Sequence, residues 1–491
     1  MFLGIDLGTS GVKAIVLDEA DQIVDQASAP LVVSRPRPLW SEQDPAAWWT
    51  ATCAAVDALR DRSPDAVAAV RGIGLSGQMH GATLLDASDE VLRPAILWND
   101  GRSAAACEEL ERRVPSVRET TGNLVMPGFT APKLLWLAEH EPEVAQRVHR
   151  VLLPKDFLRL RLTGEHASEM SDASGTLWLD VGRRRWSPDL VEATGLSLSA
   201  MPRLVEGSEA TGELLPEFAT RWGMGPRVVV AGGAGDQAAG AVGAGIISAA
   251  QGFLALGTSG VYFVAGDHFA PNPERAVHAF CHCLPERWHQ MSVILSAASC
   301  LTWVTRLVGA ANEPAALALA QSALDEAGFS NAVPCFLPYL SGERTPHNDP
   351  HARGVFFGMT HDTGPGQLVL AVLEGVSFAL ADGQDALLAS GAPIESVALI
   401  GGGAQSELWA RILASALGRP LTRSAGAEVG PALGAARLGR LSVTREAPED
   451  VCTQPPVDRV LEVEPGLRDA LGPRREEFGR LYRSLRERFA G

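Results

Sequence analysis

The 491-residue sequence predicts an α/β protein that is built from two related domains. An internal repeat is the first indication, because residues 7–12 and 256–261 both read LGTSGV, about half the chain apart. Each copy lies between two apolar stretches, a pattern typical of a β-hairpin with a Gly-Thr-Ser-Gly turn. Further apolar strands are predicted at 71–75, 227–231 and 397–400, and the last two lead into Gly-rich turns and helical patterns. Such strands are buried on both faces, so we expect sheets that are covered by helices.

The repeat also indicates where the two domains begin and end. We place the first domain at residues 1–245 and the second at 253–440, with the boundary in the Gly- and Ala-rich stretch 238–252. A weaker echo relates GDQAAGA at 235–241 to GPALGA at 430–435. Small residues at these positions would let two helices approach closely, although chance similarity is an alternative in a chain with 50 glycines.

The last part of the chain, residues 441–491, is predicted to be a C-terminal extension. Its first part, 441–473, is rich in Pro, Glu and Val and is expected to be irregular. From Arg474 to Phe489 the charges alternate and apolar residues recur at helical spacing. This pattern predicts a terminal helix that docks on the surface of the protein.

The composition is that of a globular, acidic protein. Hydrophobic residues make up 46 % and charged residues 20 %, and the net charge is −16 with a pI near 5.2. These values exclude a disordered chain and make nucleic acid a poor candidate partner. Three of the 42 basic residues are lysines, namely Lys13, Lys133 and Lys155, and we interpret the arginine excess as a GC-rich coding bias.

The seven cysteines are odd in number and scattered, which favours a reducing compartment over a disulfide framework. The N-terminus MFLGIDLGTSG has no basic segment before an apolar one, so no signal peptide is expected. No uncharged apolar stretch is long enough to predict a membrane-spanning helix, so we expect no membrane contact and a cytoplasmic location.

The first hairpin has the chemistry of a phosphate site. Successive N–H groups of the turn form an anion cradle, and Thr9 and Ser10 add hydroxyl donors. Lys13 could neutralise phosphate charge, whereas Asp6 would repel a phosphate and is better suited to hold Mg²⁺ or its water shell. The second copy has Ala255 in place of Asp6, which suggests one ligand clamped between two hairpins with metal support from one side. The alternative is two ordinary tight turns.

Three further segments carry candidate site residues. Asp236 follows an apolar strand and a Gly-rich turn, where it could accept a proton from a hydroxyl or simply cap a helix. Met79 and His80 in SGQMHG could contact a small polyol, although a lone histidine is more often structural. The triple-Gly turn within 397–409 offers an open backbone against which a flat base could lie, or it is a tight strand-to-helix turn.

Other nucleotide and metal sites are not supported. The sequence has no P-loop motif and no G-x-G-x-x-G segment that opens a helix after a strand. Residues 278–283 read HAFCHC, but alternation along an extended segment would put Cys281 and Cys283 on one face and His282 on the other. No second paired cluster is evident, so we do not predict a zinc site.

Together these segments resemble the FGGY carbohydrate kinase family over essentially the whole chain, residues 1–488. The resemblance is carried by GFTAPKLLWLAEH (128–140), GVFFGMTHDTGPGQLVLAVLE (354–374), GIDLGTSGVKAIVLD, LWSEQDP (39–45), LSGQMHGATLLD, ILWNDGR (96–102), FLPYLSGERTPH (336–347) and GPALGAARLG (430–439). It implies an actin-like fold of two ribonuclease-H-type domains with a cleft between them. It also implies a kinase of sugars or polyols that uses ATP and Mg²⁺.

The resemblance implies a role for each candidate residue. Asp236 matches the catalytic base of the family, and Asp6 matches the aspartate associated with the metal. Substrate contacts are implied for Met79, His80, Asp236 and Gln237. ATP contacts are expected at Ser10, Lys13, Thr258, Gly402 and Gly403, the last two from the adenosine motif.

Met79 and His80 match the members of the family that act on D-xylulose. We therefore expect ATP-dependent formation of D-xylulose 5-phosphate in pentose catabolism, by a chain that relatives suggest is a homodimer. Two alternatives stay open. One is a sibling kinase for ribulose, gluconate or glycerol, and the other is an actin-like nucleotide switch without kinase activity.

Overall fold

The computed structural model describes residues 1–329, 333–424 and 430–489 of the chain. Its strands are β1 (Phe2–Leu7), β2 (Gly11–Leu17), β3 (Ile23–Pro30), β4 (Glu42–Gln43), β5 (Gly72–Gly77), β6 (Thr83–Leu85), β7 (Ala95–Ile96), β8 (Arg150–Leu152), β9 (Ala167–Glu169), β10 (Leu179–Asp180), β11 (Arg185–Trp186), β12 (Arg203–Val205), β13 (Ala210–Glu213), β14 (Val229–Ala231), β15 (Ala234–Gly235), β16 (Gln251–Leu256), β17 (Gly260–Gly266), β18 (His278–Cys281), β19 (Trp288–Ile294), β20 (Cys335–Leu337), β21 (Val355–Phe357), β22 (Ser396–Ile400), β23 (Leu421–Ser424) and β24 (Val457–Leu461). Its helices are α1 (Pro45–Arg62), α2 (Pro64–Ala68), α3 (Ala104–Arg113), α4 (Val117–Thr121), α5 (Thr130–His140), α6 (Pro142–Ala145), α7 (Pro154–Thr163), α8 (Met170–Ser174), α9 (Pro188–Ala193), α10 (Pro216–Trp222), α11 (Asp236–Gly243), α12 (Ala298–Leu307), α13 (Glu313–Ala327), α14 (Pro365–Ala389), α15 (Glu407–Leu417), α16 (Gly430–Thr444), α17 (Pro448–Val451) and α18 (Pro465–Phe489).

The described residues form two lobes, each built around a seven-stranded mixed sheet. The first sheet has the order β13-β14-β5-β1-β2-β3 with β15 added to β5, and the second has the order β18-β19-β17-β16-β22-β23-β24. In each lobe the repeated hairpin pairs antiparallel, and its first strand also pairs parallel with a strand that leads into the site. The equivalent topology of the two sheets confirms the prediction of two related α/β lobes.

Helices cover both sheets, as the apolar strands predicted. In the first lobe, Trp48 of α1 and Phe157 of α7 are buried against the sheet, with their rings 6.5 Å apart. In the second lobe the long helix α14 occupies the centre of the core. By length and composition α14 could cross a bilayer, but 78 % of its most apolar window is buried inside the protein. Its hydrophobicity is therefore that of a core helix.

Helix α16 comes from the second half of the chain but packs on the sheet of the first lobe. The approach is so close that a Cβ on Gly74 of β5 would lie 1.7 Å from the Ala435 carbonyl oxygen. Helix α11 meets α16 in the same way, since a Cβ on Gly434 would lie 1.8 Å from the Ala239 carbonyl oxygen. The expectation that small residues let two helices approach closely is confirmed. The domain limits at residues 245 and 440 stay a prediction from the sequence.

The C-terminal extension is more ordered than its composition predicted. The expectation of an irregular segment over 441–473 is wrong in part, because β24 pairs antiparallel with β23 at the edge of the second sheet. The terminal helix begins at Pro465 and therefore includes the predicted helix, which starts at Arg474. Arg474 binds Glu374 of α14, and Phe478 is buried, so the helix docks on the second lobe as expected.

The cysteine-rich segment after β17 holds no metal cluster among the described residues. Cys281 lies against the Val181 carbonyl and Cys283 against the Ala238 carbonyl. The expectation that these two thiols share a face is wrong, because β18 ends at Cys281 and the alternation stops there. All seven cysteines of the chain are free thiols.

Candidate active site

The candidate site lies where the strands of the first sheet end. Asp6 of β1 pairs in register with Ser76 of β5, and Ala234 of β15 pairs with Ser76 from the other side. Helix α11 then begins at Asp236. Because the carboxyl ends of parallel strands meet at one edge of a sheet, the two aspartates are brought to the same edge.

Asp236 is the first residue of α11 and does not occupy the N-cap position of the helix. The N-cap position belongs to Gly235, and Asp236 Oδ1 accepts a hydrogen bond of 2.8 Å from the Gln237 amide. Burial and the charge of Asp6 raise the pKa of Asp236 to about 7, although the hydrogen bonds from Gln237 lower it. A carboxylate whose pKa lies near neutrality is suited to accept a proton at physiological pH.

Asp6 has an unsatisfied oxygen in the interior. Its Oδ1 is buried and has no hydrogen-bond partner among the described residues. Burial raises the pKa of Asp6 to about 6, against the lowering influence of Ser76 and Lys13. A buried carboxylate oxygen without a partner costs free energy unless it is paired, so this position fits a cation or its water shell.

The turn of the first hairpin is fixed by a polar network. The Gly8 amide donates to the Gly11 carbonyl at 2.9 Å and closes the turn, so that Ser10 is exposed at the tip. The Thr9 hydroxyl donates to Gln78 Oε1 at 3.1 Å and accepts from Trp98 Nε1 at 3.0 Å. The turn therefore presents its backbone to the cleft in one fixed conformation.

Gln43, Gln78 and Trp98 are site residues that the sequence analysis did not single out. Gln43 Nε2 donates to the Thr9 carbonyl at 2.8 Å, and Gln78 Nε2 donates to Gln43 Oε1 at 2.8 Å. Gln43 and Trp98 lie inside the motifs LWSEQDP and ILWNDGR, which carried part of the family resemblance. The family resemblance was the signal that could have pointed to these residues. Local patterns could not, because the contacts join segments that are far apart in the chain.

The second hairpin belongs to the other lobe and is braced differently. The Thr258 carbonyl accepts from the Ala297 amide at 2.9 Å and from the Ser299 hydroxyl at 2.8 Å. The Gly257 carbonyl accepts from the Ala298 amide at 2.8 Å. The turn is therefore anchored through its carbonyls on the start of α12, which leaves the Thr258 side chain without a role in this bracing.

His80 is neutral and offers one nitrogen to a ligand. Its Nδ1 lies 2.6 Å from the Gly175 carbonyl oxygen, so Nδ1 carries the proton and Nε2 is an acceptor. Burial lowers the pKa of His80 to about 3, although the bond to Gly175 raises it. The ring of Phe129 contacts the imidazole edge to face at 4.9 Å. An imidazole fixed in this way can accept a hydrogen bond from a sugar hydroxyl.

Met79 connects His80 to the turn before Asp236. A Cβ on Gly235 would lie 2.8 Å from Met79 Sδ, so the thioether fills the space that the glycine leaves. The structure therefore brings Met79, His80, Asp236 and Gln237 to one end of the first sheet, and their contacts with a substrate stay a prediction.

The triple-Gly turn lies beside the second hairpin. Gly401 adopts a φ of 92°, and residues Gly402–Gln405 form a short 3-10 turn before α15. A Cβ on Gly403 would lie 2.6 Å from Leu256 Cγ, whereas a Cβ on Gly402 would meet nothing within 4 Å. The turn is thus tight at Gly403 and open at Gly402. The tight strand-to-helix turn is present at Gly403, and the binding of a flat base at Gly402 stays a prediction.

A cavity of about 710 Å³ lies between the two lobes, and of the predicted site residues it is lined by Asp236 and Gln237 but not by Met79, His80 or the residues of the two hairpin turns. Asp236 and Gln237 line it from the first lobe, and Ala255, Ala398 and Ile400 line it from the second. Asp21 and Arg437 also line the cavity, so two carboxyl groups and a guanidinium group face the apolar side chains of the second lobe. A volume of this size is in the range of small-molecule and cofactor sites.

Comparison with known proteins identifies the chain at the level of family. Residues 1–243 match the N-terminal domain of the FGGY family of carbohydrate kinases, and residues 252–443 match its C-terminal domain. A xylulose kinase from Escherichia coli (strain K12) is 57 % identical over 487 residues, which is 99 % of each chain.

Solved structures agree with the sequence relatives. A xyloylose kinase from Brucella ovis has a TM-score of 0.95 at 50 % identity and covers 99 % of each chain. A xylulose kinase from Rhodospirillum rubrum has a TM-score of 0.92 at 28 % identity and covers 100 % of each chain. The expected fold, two actin-like lobes around a cleft, is confirmed, and the chain belongs to the FGGY family of carbohydrate kinases.

Proposed function

We propose that this kinase transfers the terminal phosphoryl group of ATP to D-xylulose and forms D-xylulose 5-phosphate in pentose catabolism. The similarity to xylulose kinases over the full length of the chain supports this substrate. The observation that carries the chemistry is the meeting of Asp236, with a pKa of about 7, and the His80–Met79 pair at the edge of one sheet. A nucleotide switch would need neither of these features.

In this proposal Asp236 is the general base. It accepts the proton of the C5 hydroxyl as that oxygen attacks the γ-phosphorus in line and ADP leaves with the bond electrons. The base acts late, since a primary alcohol becomes acidic only as the new P–O bond forms. The site contributes positioning and charge stabilisation, which dominate phosphoryl transfer.

The sugar-binding residues orient the acceptor for this step. His80 Nε2 accepts a hydrogen bond from a sugar hydroxyl, because its Nδ1 proton is committed to Gly175. Gln237 adds an amide that can donate or accept, and Met79 closes the apolar side of the pocket. These contacts hold the reacting hydroxyl next to Asp236.

Magnesium is the expected metal of the reaction. Asp6 would hold the ion or its water shell, which agrees with the unpartnered, buried Oδ1 of this residue. When bound with ATP, the ion would offset negative charge on the phosphate oxygens. Lys13 stands opposite Asp6 in the hairpin register and adds a second positive charge on the same side.

ATP is proposed to lie mainly on the second lobe, with its phosphates between the two hairpins. The open backbone at Gly402 suits the flat adenine ring, and the tight contact of Gly403 with Leu256 fixes the turn. Thr258 of the second hairpin and Ser10 of the first are the hydroxyl groups offered to the phosphates. Closure of the lobes would exclude water and limit hydrolysis of ATP.

The test is release of ADP by the purified protein with ATP and Mg²⁺. The acceptors are D-xylulose, D-ribulose, L-ribulose, glycerol, gluconate and no sugar. We expect a strong signal with D-xylulose. A maximum with another acceptor would refute the substrate, and equal release with and without sugar would refute the kinase mechanism in favour of a nucleotide switch.

The role of the base is tested by Asp236→Ala. We expect turnover to fall by about 10²–10⁴-fold, the range for loss of general base catalysis, while ATP still binds. Asp458→Ala is the matched control, because Asp458 is an exposed acid on β24. Near-normal turnover of Asp236→Ala would show that the assignment is wrong.

A further inference from the structure

The three lysines of the chain all adjoin the candidate active site. They are three of 42 basic residues, and all the others are arginines. Lys13 stands opposite Asp6 in the first hairpin, Lys133 binds the peptide of His80, and Lys155 lies beneath Gly77. Coding bias explains why arginine is common but not why the exceptions collect at one place.

Lys133 holds the backbone of the sugar-binding histidine. The side chain is buried, and its Nζ donates to the His80 carbonyl at 2.8 Å and to the Gly128 carbonyl at 2.9 Å. The Thr130 hydroxyl also donates to the His80 carbonyl, at 3.1 Å. His80 has a φ of 68°, a left-handed conformation that costs free energy in a residue with a Cβ. These donors fix the strained peptide.

Lys155 is the centre of a fully buried charged cluster. Its ammonium nitrogen lies 2.7 Å from Asp156 Oδ1, 3.1 Å from Asp172 Oδ2 and 3.5 Å from Glu169 Oε1. Each of these four side chains has no exposed surface. Burial by itself lowers the pKa of Lys155, but the three carboxyl groups together raise it above its usual value. The ammonium is therefore charged and, together with Arg159 beside Asp156, supplies the positive charge of the cluster, while burial and the neighbouring Asp156 and Glu169 raise the pKa of Asp172 well above its usual value.

This cluster is connected to the turn that precedes the proposed base. Glu169 Oε1 accepts from the Ser171 hydroxyl at 2.9 Å, and the same hydroxyl accepts from the Gly235 amide at 3.1 Å. On the other side Arg159 donates to Asp156 at 2.6 Å and also binds the Gly232 carbonyl. Both ends of the Gly232–Gly235 turn are thus tied to the carboxylates that Lys155 holds.

An arginine would not reproduce either arrangement. An ammonium group has three donors in a compact tetrahedral set, which matches the three carboxyl groups around Lys155. A guanidinium group is larger and planar and directs its donors within one plane. Interiors are close-packed, so the extra atoms would displace the peptides that the lysines now hold.

We propose that Lys133 and Lys155 are positioning residues of the phosphoryl-transfer site, where Lys133 fixes the peptide of His80 and Lys155 anchors the turn before Asp236. Neither lysine touches the substrate. The proposal rests on the function proposed above and adds that arginine cannot serve at these two positions, although it serves as the basic residue almost everywhere else.

The experiment compares Lys133→Arg and Lys155→Arg in the full chain, with saturation curves for both substrates. Displacement of a catalytic group by about 1 Å can cost 10²-fold in rate. For Lys133→Arg we expect the KM for D-xylulose to rise tenfold or more while the KM for ATP changes less than twofold. For Lys155→Arg we expect kcat to fall tenfold or more, with both KM values within twofold.

Arg474→Lys is the matched control, because Arg474 binds Glu374 in the second lobe, away from the site. We expect its kinetic constants to stay within twofold of the wild type. If Lys155→Arg does not fold, Ser171→Ala tests the same anchor without changing a charge, and we expect kcat to fall at least fivefold. Melting temperatures of all variants separate loss of folding from misplacement.

The proposal is overturned if both lysine variants keep wild-type constants, or if Arg474→Lys shows the same losses. It is also overturned if kcat and both KM values change together in each folded variant. The activity of the wild-type enzyme on D-xylulose tests the proposed substrate separately from the positioning proposal. If another sugar is the acceptor, the same variants are compared on that sugar, and if none is, the positioning proposal fails with the proposed function.

Discussion

The two LGTSGV hairpins share six residues and differ in how those residues pair. In the first hairpin Leu7 pairs with Val12, which leaves four residues in the turn. In the second hairpin Leu256 pairs with Gly260, so the turn is one residue shorter. Six identical residues therefore do not determine a register. The strands and helices around each hairpin decide it.

The surroundings of the two hairpins also differ in charge. Asp6 stands opposite Lys13 in the first copy, whereas Ala255 stands opposite Val261 in the second. The first turn is tied through the Thr9 side chain and the second through its backbone carbonyls. The repeated segment thus supplies a turn in both lobes, and the residue before it decides whether a carboxylate stands beside that turn.

The largest effect is expected when the carboxylate is moved from the first hairpin to the second. We expect Asp6→Asn to lower kcat by about 10²-fold, equivalent to ~2.7 kcal/mol, because the buried site for the cation loses its charge. The double variant Asp6→Asn with Ala255→Asp should not recover, since Val261 offers no positive partner. Steady-state kinetics measure both, and recovery in the double variant would show that the two hairpins are interchangeable.

The pH dependence of kcat/KM is the next test. The pKa values of Asp6 and Asp236 are raised to about 6 and about 7, and both groups act as carboxylates, so activity falls as pH falls through these values. We expect a tenfold loss per pH unit below pH 7 and a steeper loss below pH 6. In Asp6→Asn the steeper part should disappear. A profile that stays steep would show that the second ionisation does not belong to Asp6.

The same two carboxyl groups predict that the stability of the folded protein falls as pH rises, whereas the activity rises. Their pKa values in the folded protein exceed the ordinary value of 3.8, so their favourable contribution is complete below that value and is lost as pH rises through about 6 and 7. We expect Asp236→Asn to have a melting temperature a few degrees above that of the wild type at pH 8, and a smaller difference in the same direction at pH 5. Scanning calorimetry at the two pH values tests this, and a lower melting temperature at pH 8 would contradict it.

The smallest effects are expected from the two turn threonines. Thr9→Val removes two side-chain hydrogen bonds, so we expect a loss of about 1–3 kcal/mol in the free energy of unfolding. Thr258→Val should change it by less than ~0.5 kcal/mol, because Thr258 braces its turn through the backbone. It should instead raise the KM for ATP. Equal losses of stability would remove the distinction between the two turns.

The sequence predicted the parts of the fold that repeat or that follow a regular pattern. The hexapeptide pointed to two lobes, and the apolar runs located the strands that carry Asp236 and the triple-Gly turn. Strand β24 was missed because four of its five residues are exposed, so it lacks a buried face to alternate with an exposed one. The start of α18 was missed because Gly466 and Pro473 disrupt its helical pattern.

The site was predictable where residues adjoin in the chain and much less where they meet in space. Asp6, Met79, His80 and Asp236 lie in short segments that could be singled out as candidates, and the family resemblance implied their roles. The supports of those segments come from far along the chain, as with Lys155 beneath Gly77, and no local pattern encodes such a contact. The sequence shows that the chain has three lysines, but only the structure shows that all three lie next to the candidate site.

The placement of α16 has a consequence for how the protein is made. A ribosome releases the first sheet long before it releases the helix that covers one face of it. At about 5–20 residues per second, the roughly 200 residues between α11 and the end of α16 take about 10–40 seconds to translate. During this time the glycine-lined strands of the nascent chain face solvent or a chaperone. A fragment that stops before α16 would leave this face of the first sheet permanently uncovered. If the gene were divided between the lobes, the two encoded fragments would have to associate before α16 could cover the sheet.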